Sequence, residues 1–110
     1  MPDPIIVLVT AASSEEAQRL ADMLVESRLA ACVQIIPQIE SVYRWQGNVE
    51  RSAEVLLIAK TELSKFEELE QRVRATHSYE IPEIVAVPSV AISEAYRDWL
   101  NASLSPENES

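Results

Sequence analysis

The stretch Ile39-Glu40-Ser41-Val42-Tyr43-Arg44-Trp45-Gln46-Gly47-Asn48-Val49 decides how this chain folds. Ile39, Ser41, Tyr43 and Trp45 alternate with Glu40, Val42 and Arg44, the period of a strand whose successive side chains point to opposite faces. Gly47 is the only glycine among 110 residues, so it is the one place where a left-handed backbone has no steric cost. Set between strand-like runs, Gln46-Gly47-Asn48 is expected to be a hairpin tip. The return strand is expected from Val49 to Lys60, with Glu54-Val55-Leu56-Leu57-Ile58-Ala59-Lys60 facing the core.

Upstream, Ala30-Ala31-Cys32-Val33-Gln34-Ile35-Ile36 is a further apolar strand, and Pro37 marks an edge or a bulge because it cannot donate to a ladder. Before it, Ala17, Leu20, Ala21, Leu24 and Val25 form the buried stripe of a helix. Ser13 and Glu16 have the spacing of a capping box at its start. Ile5-Ile6-Val7-Leu8-Val9-Thr10 is a first strand, a continuous β-branched run expected to be covered on both faces or to lie at the centre of a sheet. Downstream, Ser64 and Glu67 suggest a second capping box, ahead of a helix with Phe66, Leu69 and Val73 as its stripe. Residues 77–83 form a polar loop. Ile84-Val85-Ala86-Val87 is a short strand closed by Pro88, and a third helix starts near Ser93. Residues 105–110 have the composition of a flexible tail.

The order β-α-β-β-α-β plus a C-terminal helix predicts an α+β, ferredoxin-like sandwich with an antiparallel four-stranded sheet and two helices on one face. At 110 residues it is expected to be a single domain. The hairpin strands are too long for such a compact sandwich. Val42, Tyr43, Trp45 and Val49 around Gly47 would stand exposed beyond the helices, a liability unless another copy covers them. Self-association is therefore expected.

Composition excludes several functions. With 47% apolar and 25% charged residues the chain is globular, and its net charge of −9 opposes nucleic acid and anionic membrane partners alike. One cysteine, Cys32, precludes an intrachain disulfide and suits a reducing compartment; its apolar strand favours a packing role. Residues 1–3 lack a basic region and the run from Ile5 to Val9 is too short to cross a bilayer, so the cytoplasm is the expected location. No Ser/His/Asp set with recognisable context, phosphate-cradling loop or Cys-x-x-Cys points to an enzyme. The acid pairs Glu15-Glu16 and Glu67-Glu68 fit helix starts.

Five blocks together resemble the CutA divalent-cation-tolerance family. They are Leu29-Ala30-Ala31-Cys32-Val33, Ser41-Val42-Tyr43-Arg44-Trp45-Gln46-Gly47, Glu54-Val55-Leu56-Leu57-Ile58-Ala59-Lys60-Thr61, His77-Ser78-Tyr79-Glu80-Ile81-Pro82-Glu83-Ile84 and Tyr96-Arg97-Asp98-Trp99-Leu100. The resemblance implies a homotrimer built around the long hairpins, an architecture shared with PII signalling proteins. It further implies a non-enzymatic role in tolerance of divalent metals, copper above all, with direct metal binding one route. Some members are proposed to bind copper through a cysteine at the end of the first strand and two adjacent histidines. Here those positions hold Val9 and Thr76, and only His77 remains.

His77 is accordingly the one metal candidate, with Glu80 and Glu83 near it in sequence, and a loop or interface hydrogen-bonding role is the alternative. No cofactor is required, and copper or another divalent cation is the candidate ion. Tyr43, Trp45, Lys60, Tyr79, Glu83 and Trp99 are candidates to line a cleft at a subunit boundary that takes a small metabolite, as a PII-like signalling trimer would. The competing reading makes these aromatics interface anchors and Lys60–Glu83 a structural ion pair.

Overall fold

The structure, a computed structural model, describes residues 3–106. In β1 (Pro4–Ala11) alternate residues Ile5, Val7, Val9 and Ala11 are buried on one face. They meet the buried stripe of α1 (Ser14–Glu26), formed by Ala17, Leu20, Ala21 and Leu24. Val25, expected on that stripe, lies exposed at its margin. Ser13 caps the helix, its hydroxyl accepting from the Glu16 N–H at 3.1 Å.

β2 (Cys32–Trp45) and β3 (Asn48–Glu62) form the hairpin, joined through Gln46 and Gly47. Gln46 has φ 49° and Gly47 φ 84°, the pair of left-handed residues that a two-residue primed turn requires. Pro37 does not end β2. Between Ile36, opposite Leu56, and Ile39, opposite Glu54, β2 advances three residues while β3 advances two. That one-residue bulge absorbs the proline within an edge strand.

The chain then turns through a 3-10 segment (Leu63–Lys65) into α2 (Phe66–Thr76), whose Leu69 and Val73 complete the core beside Val55, Leu57 and Ala59 of β3. The expected Ser64 cap is not made. The Ser64 hydroxyl donates to Glu62 Oε1 at 2.9 Å, and Lys65 stands at the cap position without a side-chain bond. Ser64 lies inside the 3-10 segment, and the cap position of α2 falls to Lys65. β4 (Ile84–Pro88) pairs with β1, giving an antiparallel sheet of order β2-β3-β1-β4. This is the ferredoxin-like α+β arrangement expected from the element order.

α3 (Glu94–Leu104) starts at Ser93, which accepts from the Tyr96 N–H at 3.2 Å. Its Leu100 and Leu104 are buried outside the main core. Arg28, at φ 60° just after α1, donates to the Ser103 carbonyl at 2.8 Å and ties the last turn of α3 to the body. The whole is elongated, 48 × 26 × 23 Å, because the hairpin projects from the sandwich. Of the expected tail, residues 107–110 lie outside the described residues.

Candidate functional site

The polar loop 77–83 is anchored by a buried carboxylate. Glu16, expected as the capping-box acid at the start of α1, is buried and also binds the loop. Its carboxylate accepts from the Ala12 N–H at 3.0 Å, the Ser78 N–H at 2.7 Å and the Ser78 hydroxyl at 3.0 Å. Burial pushes this carboxyl up, but the hydrogen bonds from Ala12 and Ser78 outweigh it and hold Glu16 below the usual carboxylate range.

His77 is locked on both ring nitrogens. Nε2 lies 2.7 Å from the Thr10 carbonyl, which can only accept, so Nε2 carries the proton and donates. Nδ1 accepts from the Tyr79 N–H at 2.9 Å. The side chain is fully buried, 4.8 Å centroid to centroid from the Tyr79 ring. The one lone pair a neutral imidazole offers a metal is thus already in use.

This anchoring sets Tyr79 against β3. Its hydroxyl donates to Glu54 Oε2 at 2.7 Å. Burial, followed by the bond to Glu54 and that carboxylate's charge, pushes the phenol well above the usual tyrosine value. Between the loop and the hairpin lies a cleft of about 700 Å³, on the sheet face opposite α1 and α2. Tyr43 and Trp45 form its hairpin wall, Tyr79, Glu80, Ile81 and Glu83 its loop wall, and Thr10, Ser52 and Glu54 belong to its floor. Tyr43 is held by a 3.0 Å hydrogen bond between its hydroxyl and that of Ser52.

The profile of the CutA1 divalent ion tolerance proteins matches residues 5–103. The chain belongs to that family. The divalent-cation tolerance protein CutA of Thermus thermophilus is 50% identical over 95 residues, 86% of this chain and 92% of that protein. A chloroplastic CutA of Arabidopsis thaliana is 46% identical over 90% of this chain, which spans about half (54%) of that longer relative. Among solved structures, CutA1 of Oryza sativa superposes with a TM-score of 0.91 at 42% identity, covering 94% of this chain and 95% of that one. The periplasmic divalent cation tolerance protein CutA of Archaeoglobus fulgidus gives 0.90 at 38%, covering 93% and 99%.

Within this family fold, four of the six expected cleft residues come together: Tyr43, Trp45, Tyr79 and Glu83. Lys60 and Trp99 do not join them. Lys60 lies six positions from Glu54 on the same face of β3, a run of about 20 Å, at the end where α2 begins rather than where it ends. Its Nζ sits 5.8 Å from the centroid of Tyr96, which packs against Trp99 at 5.4 Å. Among the described residues of the single chain, Lys60 and Glu83 do not pair with each other. Among the described residues no group of three or more His, Cys, Asp or Glu converges as metal ligands. Cys32 is half-buried, and among the described residues no helix is long and apolar enough to cross a membrane.

Glu54 and Glu16 were missed as site residues. Glu54 opens the apolar run Val55 to Ala59, and a carboxylate at that junction is the signal that marks it. The partner that makes Glu16 a site residue, Ser78, is 62 residues away in sequence.

Proposed function

We propose that this chain is a non-enzymatic, cytoplasmic homotrimer serving tolerance of divalent metals, copper above all, through a small ligand bound in the Tyr43–Tyr79 cleft. One observation carries the assembly. The hairpin exposes apolar side chains on both faces at once, Val42 and Val49 on one and Tyr43 and Trp45 on the other. A two-stranded ribbon with apolar surface on both sides is stable only when covered. The names of the relatives support the metal-tolerance role.

The state of His77 favours the ligand-responsive, PII-like mode over metal capture at that residue, since both nitrogens are committed within the chain. No cofactor is required in this reading. Sedimentation at micromolar concentration tests the assembly: a trimer is expected, and a well-folded single subunit would overturn it. Growth of a deletion strain in copper, rescued by the wild-type chain but not by Trp45→Asp, tests the role. Equal rescue by both would remove the cleft and hairpin from the function.

A further inference from the structure

The sheet face turned away from α1 and α2 carries opposite charge at its two ends. Its middle is apolar, with Ile36, Leu56, Ile58, Leu8 and Val85 neighbouring one another in the strand registers. Ile36 and Val85 are exposed in the single chain. At one end stands Lys60, the one basic residue that the strand registers place on this face. At the other, Glu54 lies with Glu80 and Glu83 of the loop around the cleft. None of these four charges belongs to an ion pair among the described residues. From this separation of unpaired charge on one apolar face, we infer that a second copy of the chain closes the cleft, its Lys60 entering the cluster of Glu54, Glu80 and Glu83. The site is then complete only across a subunit boundary. The inference rests on the self-association reading and deepens it by naming what each neighbour contributes.

A copy that covers the apolar middle also covers the acids beside it. Carboxylates taken out of water are costly unless a counter-charge meets them. Each chain carries a net charge of −9, so copies repel one another at long range and their contact requires a local positive complement. Lys60 is suited to supply it. Its ammonium lies 5.8 Å from the centroid of the Tyr96 ring, a contact that attracts the charge and leaves its N–H donors for carboxylates. Glu54 is held by the Tyr79 hydroxyl, so one acceptor is oriented before the neighbour arrives.

Glu54 and Lys60 stand about 20 Å apart along β3, too far to meet within one chain. That separation fits a head-to-tail contact, in which each subunit gives its Lys60 end to the next and receives one at its acidic end. Contacts of this kind close into rings. In a ring of three, every Lys60 and every acid cluster is used once.

The test is a charge exchange, read by sedimentation in the urea concentration that leaves wild type half assembled. Lys60→Glu and Glu83→Lys are each expected to weaken assembly at least about tenfold, and Lys60→Gln about three- to tenfold. The double variant Lys60→Glu/Glu83→Lys is expected to return to within about threefold of wild type. Far-ultraviolet spectra confirm that each chain is folded. Assembly unchanged in both Lys60 variants would overturn the composite site while leaving the trimer in place. A Lys60→Glu defect that the second exchange does not repair would also overturn it, assigning Lys60 to Tyr96 of its own chain. If wild type is a single subunit in the absence of urea, both the composite site and the self-association reading fail.

Discussion

The Tyr79 hydroxyl donates to Glu54 across a gap of 2.7 Å, joining the loop after α2 to the middle of β3. Both groups are partly buried, so Tyr79→Phe leaves an acceptor short of a partner and is expected to destabilise the fold by about 1–2 kcal/mol. The raised phenol also fixes a sign. An ordinary tyrosine ionises near pH 10, so the unfolded chain releases this proton before the folded one does. Stability contributed by Tyr79 is complete below about pH 10 and falls as pH rises beyond it. Ultraviolet titration of wild type should show one tyrosine ionising late, and that step should vanish in Tyr79→Phe.

Glu16 runs the other way. Its folded carboxyl lies below the unfolded value of about 4.3, so its contribution is present above that pH and is lost as pH falls through the folded value. Glu16→Gln keeps the shape but removes the charge that three donors share, a loss of about 2–3 kcal/mol at pH 7. Urea unfolding at fixed protein concentration checks it. The gap between wild type and variant should narrow on going from pH 7 to pH 3; a constant gap would exclude the charge as its origin.

For His77 the bonding dictates a single tautomer, protonated at Nε2 and bare at Nδ1. Long-range nitrogen–proton NMR at pH 7.5 should report that form, and equimolar copper should leave it unchanged. His77→Ala is expected to cost about 2–4 kcal/mol, since it opens a void and strands the Thr10 carbonyl and Tyr79 N–H.

The turn offers a gain. Gln46 occupies a left-handed conformation that asparagine adopts more readily, so Gln46→Asn should stabilise by about 0.5 kcal/mol. Gly47→Ala should lose about 1–2 kcal/mol from backbone strain alone, because a Cβ there meets no atom within 4 Å. Thermal midpoints at equal concentration compare the two.

Val49 is 66% exposed in the single chain. If copies cover it, Val49→Asp forfeits about 1.5–3 kcal/mol per subunit and adds a charge to a closed interface. Sedimentation should then show smaller species, with the far-ultraviolet spectrum retained.

Much of this architecture was legible because its causes are local. Ser13 and Ser93 cap their helices as their positions suggest, and the single glycine marks the hairpin tip. Pro37 was readable as an edge or a bulge and is both. Ser64 misled because a 3-10 segment already runs from Leu63 to Lys65, and a spacing rule for helix starts does not see that extra turn. The site was only half legible. Tyr43 and Trp45 share a strand face by period, whereas the arrival of Tyr79 depends on Glu16 gripping Ser78 from another element. Within one chain Lys60 lies apart from the loop for a directional reason: β3 ends where α2 begins, and α2 carries the chain back to the opposite end before the loop starts.

The bulge at Pro37 and Gln38 has a consequence for length. Ahead of it, odd-numbered Val33 stands opposite Ala59 on the helix side; beyond it, odd-numbered Tyr43 stands opposite Glu50 on the other. One surplus residue has reversed the parity of the strand, and that reversal is what aims the rings of Tyr43 and Trp45 away from the helices. The arm can therefore lengthen or shorten only by even increments in each strand. A lone insertion would turn its aromatic side outward and present Val42 and Arg44 in its place.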